Sequence, residues 1–153
     1  MGAVELIMID FNTYERVKLE DIADYSRAKQ GHIYPRGAST LQISATRGQI
    51  GYLYANSEVH TKEVVIIPQA GINPRYFNII LQKNIDSFMN RYATGINIQE
   101  KEVGKFDIEL HDQETQKAVV KMMDFIENKE VEVQHEIDAL KKLKGTMLGK
   151  MMI

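Results

Sequence analysis

From Glu114 to Lys144 the chain contains neither glycine nor proline, and its apolar residues recur at Val119, Met123, Ile126, Val133, Ile137, Leu140, Met147 and Met151. With Glu130 and Lys144 at the two remaining positions, the steps alternate between four and three, a heptad seam of more than four repeats. The spacing predicts one helix of about 38 residues, roughly 57 Å long, more than a small domain can cover. A stripe of Val, Met, Ile and Leu along an isolated rod does not persist in water, so the seam calls for a second helix. No helix of that length is legible elsewhere in the chain. The partner expected is therefore another molecule, with Val119, Met123, Ile126, Val133, Ile137, Leu140 and Met147 as dimerisation residues and Glu130 and Lys144 setting register. A helix curled back on its own domain is the alternative.

The residues before this helix read as a domain. Residues 14–24 have the acid-rich pattern of one or two helical turns, after which strands should begin. Pro35 and Gly37 mark a turn feeding the strand TLQIS, and GYLYA and EVVIIP follow as strands, Val64 to Ile67 reading as buried on both faces. Asn73 and Pro74 are placed as cap and first residue of a helix running to Tyr92, with Phe77, Ile80, Leu81, Ile85, Phe88 and Met89 on its apolar face. TGINIQEKEVGKFDIEL reads as extended, alternating at Ile96 and Ile98 and again at Phe106, Ile108 and Leu110; VELIMI near the start also reads as a strand. The fold class is α+β: a small mixed α/β domain over 1–112 and a long coiled-coil helix over 113–153.

At 153 residues, 44% hydrophobic and 26% charged, the chain has the composition of one soluble domain with an appendage. Six apolar residues in VELIMI cannot cross a bilayer, and the absence of cysteine excludes disulfides and thiolate metal sites, so the expected setting is cytoplasmic with no membrane partner. The net charge of −2 is unevenly spread. From Tyr25 to Lys62 five cations, Arg27, Lys29, Arg36, Arg47 and Lys62, face the single acid Glu58, a local net of +4 interleaved with Tyr25, Tyr34, Tyr52 and Tyr54. Such a field favours a polyanion. Within it, Arg47-Gly48 falls between the strand ends Ile43 and Ile50, where a turn would present a guanidinium with little bulk around it. An ordinary hairpin turn satisfies the same residues.

No catalytic constellation is legible. The NPRY run at Asn73 to Tyr76 lacks the second proline of an amine-holding NPPY motif, and no glycine-rich cofactor turn precedes it. Gly48-Gln-Ile-Gly51 is too short for a dinucleotide fingerprint, and the four histidines have no metal-ligand spacing. No enzyme activity and no cofactor are expected.

The order of parts resembles a known family. KLEDIADYSRAKQG, YPRGASTLQISATRGQIGYL, TGINIQ, and FDIELHDQETQKAVVKMMDFIENKEVE running into LKKLKGTMLGKMM together resemble the DNA-specificity subunit of type I restriction-modification enzymes, from about Val17 to the C-terminus. Such subunits have two copies of a target-recognition domain plus long helix; this chain has one, like a half-subunit. The resemblance implies a recognition domain lying on double-stranded DNA, long helices paired antiparallel to set half-site spacing, and docked methyltransferase subunits. It points to Arg27, Lys29, Arg36, Thr46, Arg47, Gln49 and Lys62 as DNA-binding residues, and to itself or another specificity subunit as the helix partner. One departure is that only Asp24 to Ile33 stands where the family carries a long variable reading segment. Contacts that position a protein on phosphates carry no sequence information. A second function is therefore open, that of a truncated interaction protein that pairs or competes with a full-length specificity subunit without reading DNA.

Overall fold

The computed structural model describes residues 10–43, 48–92 and 99–151. Alternation in the strand segments builds a four-stranded antiparallel sheet in the order β2-β7-β4-β5, from β2 (Ala23–Arg27), β4 (Ser39–Gln42), β5 (Ile50–Tyr52) and β7 (Glu63–Pro68). Val64 and Ile66 project from β7 into the main core, while Val65 between them packs with Ala28, Tyr34, Ala38 and Val59 on the other face. The continuous apolar run is thus buried on both sides, as its composition predicts. The second face is covered by the short ribbon of β3 (Ile33–Tyr34) and β6 (Ser57–Glu58). Gly37 enters β4 with φ +93°, a conformation that glycine adopts without the steric cost of a side chain.

The main core lies between the sheet and helix α2 (Pro74–Tyr92), whose Tyr76, Phe77, Ile80, Leu81, Ile85, Phe88 and Met89 are buried. Asn73 caps it, its Oδ1 accepting from the N–H groups of Arg75 at 3.0 Å and Tyr76 at 3.1 Å. Asn78 is wholly buried in mid-helix because its amide donates to Ser39 Oγ at 3.0 Å and to the Gly51 carbonyl at 2.9 Å.

Two expectations are corrected. Residues 14–24 form β1 (Glu15–Lys18), a single turn α1 (Leu19–Ile22) and the start of β2, with strand pairing preceding the helical turn. Tertiary pairing decides this: Arg16-Val17-Lys18 lies antiparallel to Asp107-Ile108-Glu109 of β8 (Asp107–Leu110), burying Ile108 and linking Lys18 to Asp107. The second correction concerns Glu100–Lys105, which forms a 3₁₀ turn where extended chain was expected. Val103 and Phe106 are three apart, so this tighter helix places both in the core. Ile96, Ile98 and the VELIMI segment lie outside the described residues.

Helix α3 (Gln113–Met151) follows β8 directly. Asp112 opens it, accepting the Thr115 N–H at 2.8 Å, and the Thr115 hydroxyl and N–H hold the Asp112 carboxyl below its usual range. Its first turns are rooted by Gln116, which is 1% exposed: Oε1 accepts the Asn73 N–H at 3.0 Å and Nε2 donates to the His111 carbonyl at 2.8 Å. The chain is therefore a mixed α/β strand domain with a long C-terminal helix.

Candidate nucleic-acid and pairing interfaces

Strand register gathers part of the basic segment at one end of the four-stranded sheet. Arg27 ends β2 opposite Val64, Lys62 precedes β7, and the Gln42 N–H at the end of β4 donates to the Gln49 carbonyl at 3.0 Å. Arg27, Gln49 and Lys62 are all exposed there. The Arg27 Nε donates to the Thr61 carbonyl at 2.8 Å, which brings its guanidinium toward the turn carrying Lys62. With neighbouring strands about 4.8 Å apart, these ends span about 14 Å of sheet edge. Lys29 is exposed just beyond β2, its N–H donating to the Tyr34 hydroxyl at 2.9 Å. Arg36 is not brought to this edge: it precedes β4 at the opposite end, its N–H donating to Asn56 Oδ1 at 2.8 Å.

Thr46 and Arg47 lie outside the described residues, but Gly48 is within them. A Cβ at Gly48 would meet Ile85 carbons at 2.7 Å and Met89 Cγ at 2.9 Å. The missing side chain at this position lets the chain approach its own packed helix α2.

The seam of α3 divides along its length. Val119, with Val120 beside it, packs against the domain core, and Met123 is half-buried. Arg75 then reaches from α2 to Glu127 at 2.5 Å and lies 5.5 Å from the Tyr52 ring centroid. From the level of this tie onward the seam is open: Ile126 beside it and Val133, Ile137, Leu140, Met147 and Met151 beyond it are exposed, with Leu143 and Leu148 widening the stripe near its end. The helix does not curl back onto its own domain over this length.

The charges of α3 are divided in the same way. Asp124, Glu127, Glu130, Glu132, Glu136 and Asp138 accompany the single cation Lys129, whereas Lys141, Lys142, Lys144 and Lys150 follow with no acid among them. The sequence already carries this switch from acid to base, but its use becomes readable only once the exposed length of the helix is known. The roles of Arg75 and Gln116 were not legible, because each depends on a residue more than forty positions away.

The NPRY residues serve the fold. The buried Tyr76 hydroxyl lies 2.6 Å from both the Glu109 carbonyl and His111 Nδ1, and it accepts the His111 N–H at 3.0 Å. Burial pushes the Tyr76 hydroxyl up to about 12. Among the described residues no group of three or more His, Asp or Glu is placed to hold a metal ion, and no helix is long and apolar enough to cross a membrane.

Comparison with known proteins gives no matching family model and no match among curated sequences. Solved structures do match. The HsdS subunit from Thermoanaerobacter tengcongensis is similar over 80% of this chain and 39% of its own, at TM-score 0.59 and 11% identity. The type I restriction-modification S subunit from M. genitalium is similar over 88% of this chain and 44% of its own, at TM-score 0.61 and 15% identity. A chain from a structure of the assembly and conformational transition of the type I R-M system is similar over 83% of this chain and 43% of its own, at TM-score 0.64 and 11% identity. The chain spans about two-fifths of the length of each of these structures, and over that length it has the fold of a type I restriction-modification S subunit.

Proposed function

We propose that this chain is a non-catalytic half-length DNA-specificity subunit that pairs antiparallel with a second copy through α3. The observation carrying this reading is the coincidence, on one exposed helix, of an uncovered apolar stripe and a division of charge. In a parallel pair the acidic stretch Asp124 to Asp138 would face itself and the lysines of Lys141 to Lys150 would face themselves. In an antiparallel pair centred near Ile137 to Leu140, each stretch faces its opposite. Exposed apolar side chains contribute on the order of 1.5 kcal/mol each when buried, so the open seam provides ample driving force while the charges select orientation.

The exposed sheet edge with Arg27, Gln49 and Lys62 is the proposed face toward double-stranded DNA, with Lys29 just beyond β2 and Arg36 away from it at the other end of β4; Thr46 and Arg47 are proposed as DNA contacts from the sequence alone. Two copies would present two such faces, one at each end of the pair. Methyltransferase subunits are the proposed further partners, positioned by the domain and helix together.

Orientation can be tested cleanly because the chain has no cysteine. Glu127→Cys and Lys150→Cys proteins oxidised separately should remain uncrosslinked, and their mixture should crosslink. Self-crosslinking of each variant alone would establish a parallel pair and remove the model. Sedimentation that finds only monomer at tens of micromolar would leave the alternative, an interaction protein that needs another subunit's helix.

A further inference from the structure

We propose that the cleft between α2 and the β1–β8 strand pair is a phosphate-binding site, separate from the sheet edge assigned above. Asn84, Ser87, Phe88 and Arg91 follow one another at helical spacing, so they form one stripe of α2. Opposite them stand Arg16 and its cross-strand partner Glu109, with Asp107 beside it. Together they enclose about 260 Å³, enough for a phosphate and part of the group that carries it.

Three observations indicate an oxyanion. The Asn84 amide nitrogen is buried without a hydrogen-bond partner, the one such side-chain nitrogen or oxygen among the described residues. A buried donor left unpaired is costly, and because this atom has no open surface a ligand oxygen would satisfy it only by displacing the side chains that shield it. The acids of the cleft are already engaged: Asp107 by Lys18 and by Arg91 at 3.5 Å, Glu109 by Lys83 at 2.6 Å. Arg16 has no carboxylate within bridging distance among the described residues; the lining by itself is balanced, two arginines against two acids, and the net charge of +2 arises because Lys18 and Lys83 hold both acids from outside it. Finally, the donor types match the ligand. Two guanidiniums, an amide and the Ser87 hydroxyl offer planar, charged and neutral donors to a group with several acceptor oxygens. Phe88, Tyr92 and Phe106 form apolar wall, which lowers the local dielectric and strengthens each of these bonds.

The phosphate could belong to a nucleic-acid backbone or to a free nucleotide, and the two sources are separable. Inorganic phosphate titrated into the labelled protein should shift the Asn84 side-chain amide and the Arg16 Nε–H resonances saturably in the millimolar range. Arg16→Gln, an exposed substitution, should weaken this binding about tenfold, and Asn84→Asp should abolish it through charge repulsion. Lys62→Gln, at the sheet edge, should leave it unchanged. Displacement of phosphate by a short DNA duplex would assign the site to a backbone phosphodiester and extend the proposed DNA face. Displacement by a nucleoside monophosphate with no effect of duplex would assign it to a free nucleotide. If phosphate leaves both resonances unmoved, or Arg16→Gln binds it as tightly as the parent, the cleft is not an oxyanion site, whatever the sheet edge does.

Discussion

Gly48 shows how a single residue can carry two meanings until its neighbours are known. In sequence it follows an arginine and invites a ligand; in the structure the space a side chain would need is filled by Ile85 and Met89. Gly48→Ala should therefore cost about 1–3 kcal/mol of stability, measured by urea unfolding, because the helix side chains must move. A neutral result would show that the approach is looser than the geometry implies. Tyr76 gives a prediction in pH. Its hydroxyl titrates at 10.0 in the unfolded chain and about 12 in the folded one, so its contribution is complete below 10 and is lost as pH rises toward 12. The loss in that window should be on the order of 2 kcal/mol. Tyr76→Phe should be less stable at neutral pH and should lack that alkaline decline; an unchanged decline would place its origin elsewhere. For DNA, Arg27→Gln and Lys62→Gln should each reduce the salt slope of binding by about one unit, whereas Arg36→Gln, at the other end of β4, should change it little.

At the scale of elements, α3 is one helix with two tasks. Gln116, Ala118 and Val119 belong to the domain, and Arg75 extends that attachment to Glu127. We place the working division between domain and pairing arm within the helix, beyond Glu127, whereas a change of character in the sequence puts it at 112/113. Chains truncated at different points test this. A protein ending at Lys129 should melt cooperatively near the parent monomer's temperature, while one ending at Leu110 should lose the Gln116 bonds to Asn73 and His111 and melt markedly lower. Equal melting temperatures would return the boundary to the start of the helix. Ile137→Asp with Leu140→Asp should leave the domain's melt intact and abolish self-association in sedimentation, since both side chains are exposed in the single chain and have no folding role there.

For the whole molecule, the division of charge along α3 predicts selective pairing. Converting Lys141, Lys142 and Lys144 to Glu should weaken self-pairing, and mixing that variant with one carrying Lys at Glu130, Glu132 and Glu136 should restore a heterodimer. The effect should fade as salt rises, because exposed charges are screened over about 10 Å at 0.1 M. Failure of the mixture to pair at low salt would mean that the apolar stripe alone chooses the partner.

Periodicity made α2, α3 and the buried strand β7 legible, since each repeats one physical requirement over many adjacent residues: an apolar face every three to four positions, or an unbroken apolar run. The cap at Asn73 was legible for the same local reason. What no local pattern encodes is pairing between distant segments. Arg16-Val17-Lys18 looked helical until Asp107-Ile108-Glu109 lay beside it, and the 3₁₀ turn followed from the need to seat Val103 and Phe106 in one core. The same limit applied to the candidate sites. Composition could find a basic segment, but only strand register separates Arg36 from Arg27 and Lys62, and only packing shows that the space beside Gly48 is taken. The cleft at Asn84 has no sequence signature, because its residues come from three elements that meet only when β1 and β8 pair beside α2.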